Sequence, residues 1–325
     1  MSLAAPRQPL ETILRRSIRA EADSHVLDLA RPIDRSRWYV CPTLTPLYYT
    51  PIYDTLTEDQ RRRYNQLTAL CFNELIAFFE QSFAASVLAA TARARRGDDE
   101  WTECLERFIR EERRHIGWWR DLNRLSEPEL YAATDSAIVR LPAAPRGALA
   151  LLTRHPHWFP AVFWVMLLLE ERSLDISRRS LRLGPDVLEP QYRAIYRRHL
   201  EDEVRHVQLD RELIARHYAL QPRYRRWLNA RLLGVLIGRF FLPPTRSAVR
   251  VIERLVFEYP ELGRKQREMN RRLRALGDDP DYCEMMYSRR TTPLAFSLFD
   301  SFAEMHHLQR VLRSYRPAPC RIDAP

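Results

Sequence analysis

The sequence predicts an all-α protein built from several long helices. Apolar residues recur every three or four positions over long segments, which is the spacing of one helix face. The chain has only 8 glycines, and no hairpin dipeptide separates alternating apolar runs. With 325 residues, 46% of them apolar, it can bury a substantial core. We therefore predict no β-strand and a single domain over residues 1–325.

Four long helices are predicted, at about 57–95, 101–125, 160–183 and 190–218. The first begins at a capping box formed by Thr57 and Gln60, in which each side chain bonds the other's backbone. Pro160 suits the first turn of the third helix. These helices define a core of about 57–220, between an N-terminal lead-in of 1–56 and a helical extension of 221–325.

Composition argues against several classes of partner. The net charge of +10 comes from 52 basic residues, of which Lys265 is the only lysine, and the arginines are spread along the chain. We therefore expect no nucleic-acid binding. The five cysteines are scattered without a C-x-x-C pair, which predicts reduced thiols. The N-terminal segment is interrupted by charge, as at Arg7, Glu11 and Arg15, and lacks the apolar core of a signal peptide, so we expect a cytoplasmic protein.

One apolar segment raises the question of a membrane. It runs from Trp227 to Leu242, but it is shorter than the roughly 20 residues that a span needs and it contains Arg231 and Arg239. The sequence favours a buried or interface helix over a helix on a membrane surface. No stable membrane insertion is expected.

Potential metal ligands are grouped on the second and fourth helices. His199, Glu203 and His206 stand at i, i+4 and i+7, so the three side chains share one helix face. Glu112 and His115 stand at i and i+3, again on one face. In a four-helix di-iron site, two helices each supply a Glu-x-x-His pair and the other two each supply one carboxylate.

The first and third helices each contain a glutamate, and each stands at the same distance along the chain before the glutamate of a Glu-x-x-His pair. The distance along the chain from Glu80 to Glu112 equals the distance from Glu171 to Glu203. Glu80 and Glu171 each follow an apolar run, where an unpaired carboxylate is costly and a cation removes the cost. Two alternatives stay open here, since Glu74 competes with Glu80 and Glu170 competes with Glu171. The equal separation favours Glu80 and Glu171.

The predicted ligand set is rich in carboxylate and imidazole. It consists of Glu80, Glu112, His115, Glu171, His199, Glu203 and His206. Without thiolate, such a set suits iron or manganese better than structural zinc, and iron is preferred because oxygen chemistry needs a redox change. A ligating imidazole normally donates its second ring nitrogen to a nearby acceptor, here called its outer partner. Asp202 and Glu111 each precede a predicted ligand and are placed to be such acceptors. We expect Asp202 to orient His115, and Glu111 to orient His206.

The order of these motifs resembles the p-aminobenzoate N-oxygenase (AurF-like) di-iron oxygenases. The resemblance covers about Thr45 to Tyr218, including the T-P-L-Y-Y-T-P-I-Y segment before the first helix. Its most specific element is His199, one turn before the second Glu-x-x-His pair. The resemblance implies a ferritin-like four-helix bundle with additional C-terminal helices, often assembled as a homodimer.

The same resemblance implies a function. It indicates a monooxygenase that uses two iron ions and O2 to convert an aromatic amine to hydroxylamine, nitroso and nitro products, with electrons from an unidentified reductase or ferredoxin. A di-iron hydroxylase or desaturase acting on carbon would use the same ligands. An iron-storage or peroxide-scavenging protein is disfavoured by the length beyond the bundle and by His199. A non-catalytic helical protein is the remaining alternative, and a metal-free purified chain would favour it.

Overall fold

The computed structural model describes residues 8–22, 31–94, 99–140, 143–242 and 245–317. Over these residues the chain is helical and forms no named strand. The only extended pairing among them is an isolated bridge between Trp38 and Leu188. The predicted all-α class is confirmed.

The helices follow one another with short connections. Within the described residues they are α1 (Leu10–Ala22), α2 (Pro51–Asp54), α3 (Glu58–Phe79), α4 (Ala85–Ala94), α5 (Asp99–Ser126), α6 (Ala143–Arg154), α7 (Ala161–Leu181), α8 (Pro190–His217), α9 (Arg223–Leu236), α10 (Thr245–Glu258), α11 (Gln266–Ala275), α12 (Pro280–Met286) and α13 (Pro293–Asp300). Two π turns continue helices, Glu80–Ala84 between α3 and α4 and Ile237–Phe241 after α9. Short 3-10 segments lie at Pro42–Leu44, Pro46–Tyr49, Pro260–Lys265, Leu276–Asp278 and Ala303–Arg310.

The ends of the long helices follow local sequence signals. The capping box before α3 is present, with Gln60 N donating to Thr57 Oγ1 at 3.3 Å and Thr57 N donating to Gln60 Oε1 at 3.0 Å. At the start of α8, Glu189 accepts a 2.9 Å hydrogen bond from Tyr192 N. The predicted end of the first helix near Arg95 lies just outside the described residues. The other predicted boundaries agree with the structure to within a few residues.

Four long segments form the bundle. The continuous helix through α3, its π turn and α4 packs against α5, α5 packs against α8, and α7 lies along α8. The core between them is apolar, with Phe108, Trp164 and Leu167 fully buried or nearly so. This is a four-helix arrangement of the ferritin-like type, as predicted.

The remaining helices cover the bundle. α1 contacts α5 and α8, α10 contacts α3, and both α9 and α13 contact α7. The segment predicted to be a buried or interface helix forms α9 and the π turn after it. Ala230 and Leu233 are buried there, whereas Trp227 is 48% exposed and Val235 is 58% exposed. One face of this helix is therefore packed, and a role for the other face in an interface stays a prediction.

One continuous described helix, Glu58–Ala94, is long and apolar enough by composition to cross a membrane. It is the bundle helix made of α3, the π turn and α4, and it carries buried polar side chains such as Asn73, Glu74 and Glu80. A core helix of a soluble protein passes the same length and composition test. Cys41, Cys71, Cys104 and Cys283 are free thiols, as expected, and Cys320 lies outside the described residues.

Candidate metal centre

Six of the predicted ligands come together in the middle of the bundle. Glu80 begins the π turn after α3, Glu112 and His115 lie on α5, and the others lie on α8, namely His199, Glu203 and His206. Each of these residues is at most 2% exposed. Three helices thus aim carboxylate and imidazole groups at one buried point.

The nitrogen and oxygen atoms approach one another closely. His199 Nε2 lies 3.2 Å from Glu80 Oε1 and 2.9 Å from Glu203 Oε1. His206 Nδ1 lies 3.1 Å from Glu112 Oε1 and 3.2 Å from Glu203 Oε2. The two oxygens of Glu203 therefore face different histidines.

These contacts divide the cluster into two overlapping groups. One contains Glu80, His115, His199 and Glu203, and the other contains Glu112, His115, Glu203 and His206. Within each group the potential ligand atoms lie within 4.8 Å of one another. Glu203 and His115 belong to both groups. This is the arrangement expected of two adjacent cation positions that share a carboxylate.

Several buried atoms at the centre lack hydrogen-bond partners among the described residues. Both oxygens of Glu112, Glu80 Oε2, Glu170 Oε1 and His115 Nδ1 are in this state. A buried polar atom without a partner costs free energy, and a carboxylate costs more. Four inward carboxylates, those of Glu80, Glu112, Glu170 and Glu203, would neutralise two divalent cations. The residues present therefore fit a pair of metal ions.

The pKa values of two carboxyl groups in the cluster are raised, because negative charge is crowded there in a buried place. Burial, and then the nearby charge of Glu112, raise the pKa of Glu80 to about 8, although His115 acts in the opposite direction. Burial and the charge of Glu203 also raise the pKa of Glu170 well above its ordinary value. Without a cation the Glu80 carboxyl group therefore favours its protonated form at neutral pH, and a bound metal ion would displace that proton.

The outer partners of two imidazoles are those that the sequence predicted. His115 Nε2 lies 3.0 Å from Asp202 Oδ2, and His206 Nε2 lies 2.8 Å from Glu111 Oε2. With Nε2 donating to a carboxylate, Nδ1 of each ring is left as a lone-pair donor facing the cluster. Both predicted contacts are confirmed.

Arginines balance the charge of the two outer acids. Arg205 Nη2 lies 2.9 Å from Glu111 Oε1 and 2.6 Å from Asp202 Oδ1, and Arg114 Nη2 lies 3.2 Å from Asp202 Oδ2. Burial acts to raise the pKa of Asp202, but hydrogen bonds from His115 and Arg205 hold it well below its usual range. The N-terminal helix also contributes, since Ser17 Oγ donates to Glu111 Oε1 at 2.7 Å.

We expect Asp202→Asn and Glu111→Gln each to weaken metal binding or activity by roughly 10- to 100-fold, the usual effect of losing an outer partner. Each change removes the charge that fixes the imidazole tautomer while keeping the side chain's size. Metal titration of both variants measures the effect. Glu201→Gln, at an exposed position of α8, is the control. Wild-type affinity in both variants would contradict the orienting role.

The two competing carboxylates of α7 point in different directions. Glu170 is buried and faces Glu203 and Glu112. The oxygens of Glu171 instead accept 2.8 Å hydrogen bonds from the backbone N–H groups of Leu294 and Ala295. These belong to the first turn of α13, where N–H groups lack partners within the helix. Glu171 thus ties α13 to α7 and is outside both groups of candidate ligands.

The preference for Glu171 as a ligand stays a prediction, but the structure places the carboxylate of Glu170, and not that of Glu171, near Glu203 and Glu112, although neither acid belongs to the two groups. The preference came from assuming an equal separation between the two acids of each hairpin, but the two hairpins are built differently. The first contains the π turn Glu80–Ala84, which has no counterpart in α7 or α8. Adjacent residues also point about 100° apart on a helix, so an error of one residue changes the environment completely.

The other competing carboxylate, Glu74, lies in a different environment from Glu80. It accepts hydrogen bonds from Tyr131 Oη at 2.6 Å and from the backbone N–H of Val139 at 2.6 Å, and further donors come from Ser136, Ala137 and Ile138. Its oxygens are occupied by the loop after α5. The structure accordingly brings Glu80, and not Glu74, to the cluster.

One buried acid near the centre was missed from the sequence. Asp210 follows His206 by one helical turn on α8, is fully buried, and has no hydrogen-bond partner for either oxygen among the described residues. Burial, with the charges of Glu112 and Glu203, raises its pKa well above the ordinary value, while His206 acts in the opposite direction. The i+4 spacing from His206 was the available signal.

Aromatic rings enclose the imidazoles. Phe108 stacks on His206 with ring centroids 3.8 Å apart, and Trp119 meets the edge of His199 at 4.9 Å. The other described histidines, His155, His157, His217, His306 and His307, lie outside both groups. His25 is outside the described residues. The centre is consequently screened from water on the sides that these rings cover.

We expect the apparent metal affinity to fall as the pH is lowered from 8 to 6. The pKa of Glu80 is about 8 without a cation, and that of His206 is raised well above its ordinary value despite burial, chiefly by Glu203. Both groups must lose protons to bind a metal, so protons compete below pH 8. Calorimetric titration in buffers of different ionisation enthalpy measures the protons released. A pH-independent affinity with no proton release would contradict this expectation.

Comparison with protein-family models gives a match over most of the chain. The model for p-aminobenzoate N-oxygenase AurF covers residues 4–278. The chain belongs to this family. The match includes every residue of the buried carboxylate and histidine cluster, the N-terminal helix that reaches Glu111, and the extension as far as α11. Comparison with curated proteins finds no match.

Family membership agrees with the fold and the cluster. The AurF family is a family of helical di-iron oxygenases with a ferritin-like fold. The buried carboxylates and imidazoles of this chain are compatible with such a centre.

Proposed function

We propose that the protein is a non-haem di-iron monooxygenase that oxidises the nitrogen of an aromatic amine with O2. The observation that carries the proposal is the pair of overlapping four-residue groups that share Glu203 and His115. Membership of the p-aminobenzoate N-oxygenase family supports the nitrogen chemistry.

The proposed ligands are assigned from the contacts. Glu80 and His199 would hold one iron, and Glu112 and His206 would hold the other. Glu203 would bridge them, since its two oxygens face different imidazoles. His115 Nδ1 lies 3.4 Å from Glu203 Oε1 and 3.7 Å from Glu80 Oε1, and it would complete the imidazole set. Glu170 would supply the carboxylate of α7 in place of Glu171.

The bound irons would supply the redox change that O2 activation needs. The protein's own contribution is to fix the ligands and to keep the site dry. Asp202 and Glu111 hold two imidazoles by their outer nitrogens, and Ser173 Oγ lies 3.3 Å from His199 Nδ1. Phe108 and Trp119 cover the rings and exclude water.

An electron donor of the reductase or ferredoxin type and a homodimer are further proposals that rest on the family. A cytoplasmic location and a single domain over residues 1–325 are proposals that rest on the sequence. None of them changes the assignment of the centre.

Reconstitution tests the function. Anaerobic protein loaded with ferrous iron should hold about two irons per chain and, on exposure to O2, convert p-aminobenzoate to hydroxylamine, nitroso or nitro products detectable by mass spectrometry. Oxygen added only at carbon would replace the proposal with a di-iron hydroxylase. Uptake of many irons per chain without product would instead identify an iron-storage protein.

A further inference from the structure

The N-terminal helix lies over the outer side of the candidate metal centre. α1 packs against α5 and α8, the two helices that carry the Glu-x-x-His pairs. Ile13 and Ser17 stand one turn apart on its packed face and are 4% and 7% exposed, whereas Ile18 is 45% exposed. Burying a hydroxyl group costs free energy unless it is hydrogen-bonded. The packed face of α1 thus brings one polar side chain to the bundle, that of Ser17.

The Ser17 hydroxyl donates to the acid that holds His206. Its Oγ lies 2.7 Å from Glu111 Oε1, and the other oxygen of the same carboxylate, Oε2, lies 2.8 Å from His206 Nε2. Arg205 Nη2 also donates to Glu111 Oε1, at 2.9 Å. One oxygen of Glu111 is therefore fixed by two donors, while the other faces the imidazole. The carboxylate cannot turn away from the ring without breaking the bonds that Ser17 and Arg205 donate.

Two further contacts hold α1 on the bundle. Arg198 Nη2 of α8 donates to the backbone oxygen of Ala20 at 2.9 Å, and Arg107 of α5 forms an ion pair with Glu21. Both contacts lie in the last turn of α1, one turn beyond Ser17. They fix the helix at its C-terminal end, and the Ser17 hydrogen bond connects it to the metal centre.

We propose that Ser17 is a positioning residue for the metal centre, and that docking of α1 and binding of metal at His206 strengthen each other. Ser17 fixes the Glu111 carboxylate, the carboxylate fixes the Nε2–H of His206, and the ring then presents Nδ1 to the metal. Coupling between two binding events is reciprocal, so a bound metal stabilises the docked helix by the same factor. A metal at His206 rests on the function proposed above; the chain of hydrogen bonds from Ser17 to His206 does not.

Anaerobic titration of three full-length variants with ferrous iron tests the positioning role. Ser17→Ala should bind iron roughly three- to tenfold more weakly than the wild type, because one hydrogen bond to a buried acid is lost. Ser17→Thr keeps the hydroxyl group and should restore most of the affinity. Thr12→Ala, which removes a hydroxyl group elsewhere on α1, is the matched control and should bind iron as the wild type does.

The His206 imidazole gives a second readout, which needs no metal. In metal-free protein with isotope-labelled histidine, the Nε2–H of His206 is held by Glu111 and should exchange slowly with water in nuclear magnetic resonance spectra. Ser17→Ala should make this exchange faster, and Thr12→Ala should leave it unchanged. The signal is assigned by its absence from His206→Gln protein. Circular dichroism checks that the alanine variants are folded.

Hydrogen exchange of the α1 backbone tests the coupling in the other direction. The amides of Leu10–Ala22 should exchange more slowly in iron-loaded wild type than in metal-free wild type, because the metal stabilises the docked helix. The difference should shrink in Ser17→Ala by about the factor by which its iron affinity falls. Peptides from α11, which packs against α10, are the internal control.

The outcomes separate this inference from the proposed function. Unchanged iron affinity or unchanged imidazole exchange in Ser17→Ala would overturn the positioning role, and so would equal losses in Ser17→Ala and Thr12→Ala. Backbone exchange of α1 that is the same with and without iron would overturn the coupling. A wild-type chain that binds no iron would defeat the proposed function and the coupling together, and the imidazole exchange would still decide the role of Ser17.

Discussion

Glu203→Ala should leave the purified protein with almost no bound iron. The two oxygens of this side chain face His199 and His206, so both proposed metal positions lose a ligand at once. The removed group is also one of the four carboxylates that would neutralise the two ions. Metal analysis after anaerobic loading with ferrous iron gives the result directly.

The matched control is Glu201→Ala, on the same helix and two residues away. Glu201 is exposed and pairs with Arg198 at the surface, at 3.0 Å. The Glu201→Ala variant should bind iron as the wild type does, and circular dichroism should show that both variants are folded. Retention of about two irons per chain in Glu203→Ala would refute the assignment of the centre.

Glu170→Gln should lose most of the bound iron, whereas Glu171→Gln should keep it. Glutamine has the same shape as glutamate but carries no charge, so only a carboxylate that faces the ions is sensitive to the exchange. Glu170 faces Glu203 and Glu112, while Glu171 is engaged with the backbone of Leu294 and Ala295. Iron content of the two variants, prepared in parallel, decides between them.

The two substitutions should also differ in stability. Glu171→Gln puts an amide in place of one of two oxygens that accept N–H groups at the start of α13, so one buried donor loses its partner. Such a loss typically costs about 1–3 kcal/mol. Thermal unfolding of metal-free protein should therefore show a lower midpoint for Glu171→Gln. Glu170→Gln should not be destabilised, because the carboxyl group it replaces is buried with one oxygen that accepts no hydrogen bond among the described residues. Iron loss in Glu171→Gln with full retention in Glu170→Gln would restore the assignment made from the sequence.

The proposed ligands on α5 and α8 could be predicted because their spacing is a local property. Residues at i, i+3, i+4 and i+7 share a helix face whatever the helix packs against. His199, Glu203 and His206 were therefore recognisable as one group before any fold was known. The same applies to the contacts of Asp202 and Glu111, since a residue next to a ligand points about 100° away, toward a neighbouring helix.

The sequence by itself determined the all-α class, the helix boundaries and six inward-facing members of the cluster, because capping, periodicity and same-face spacing act within one helix. Only the tertiary structure placed the carboxylate of Glu170 near the cluster and that of Glu171 against α13, and only it revealed Asp210 in the interior. The physical reason is that these features depend on the rotation of the helices about their axes and on the π turn after Phe79. Contacts between segments far apart in the chain fix both, and residue spacing carries no information about them.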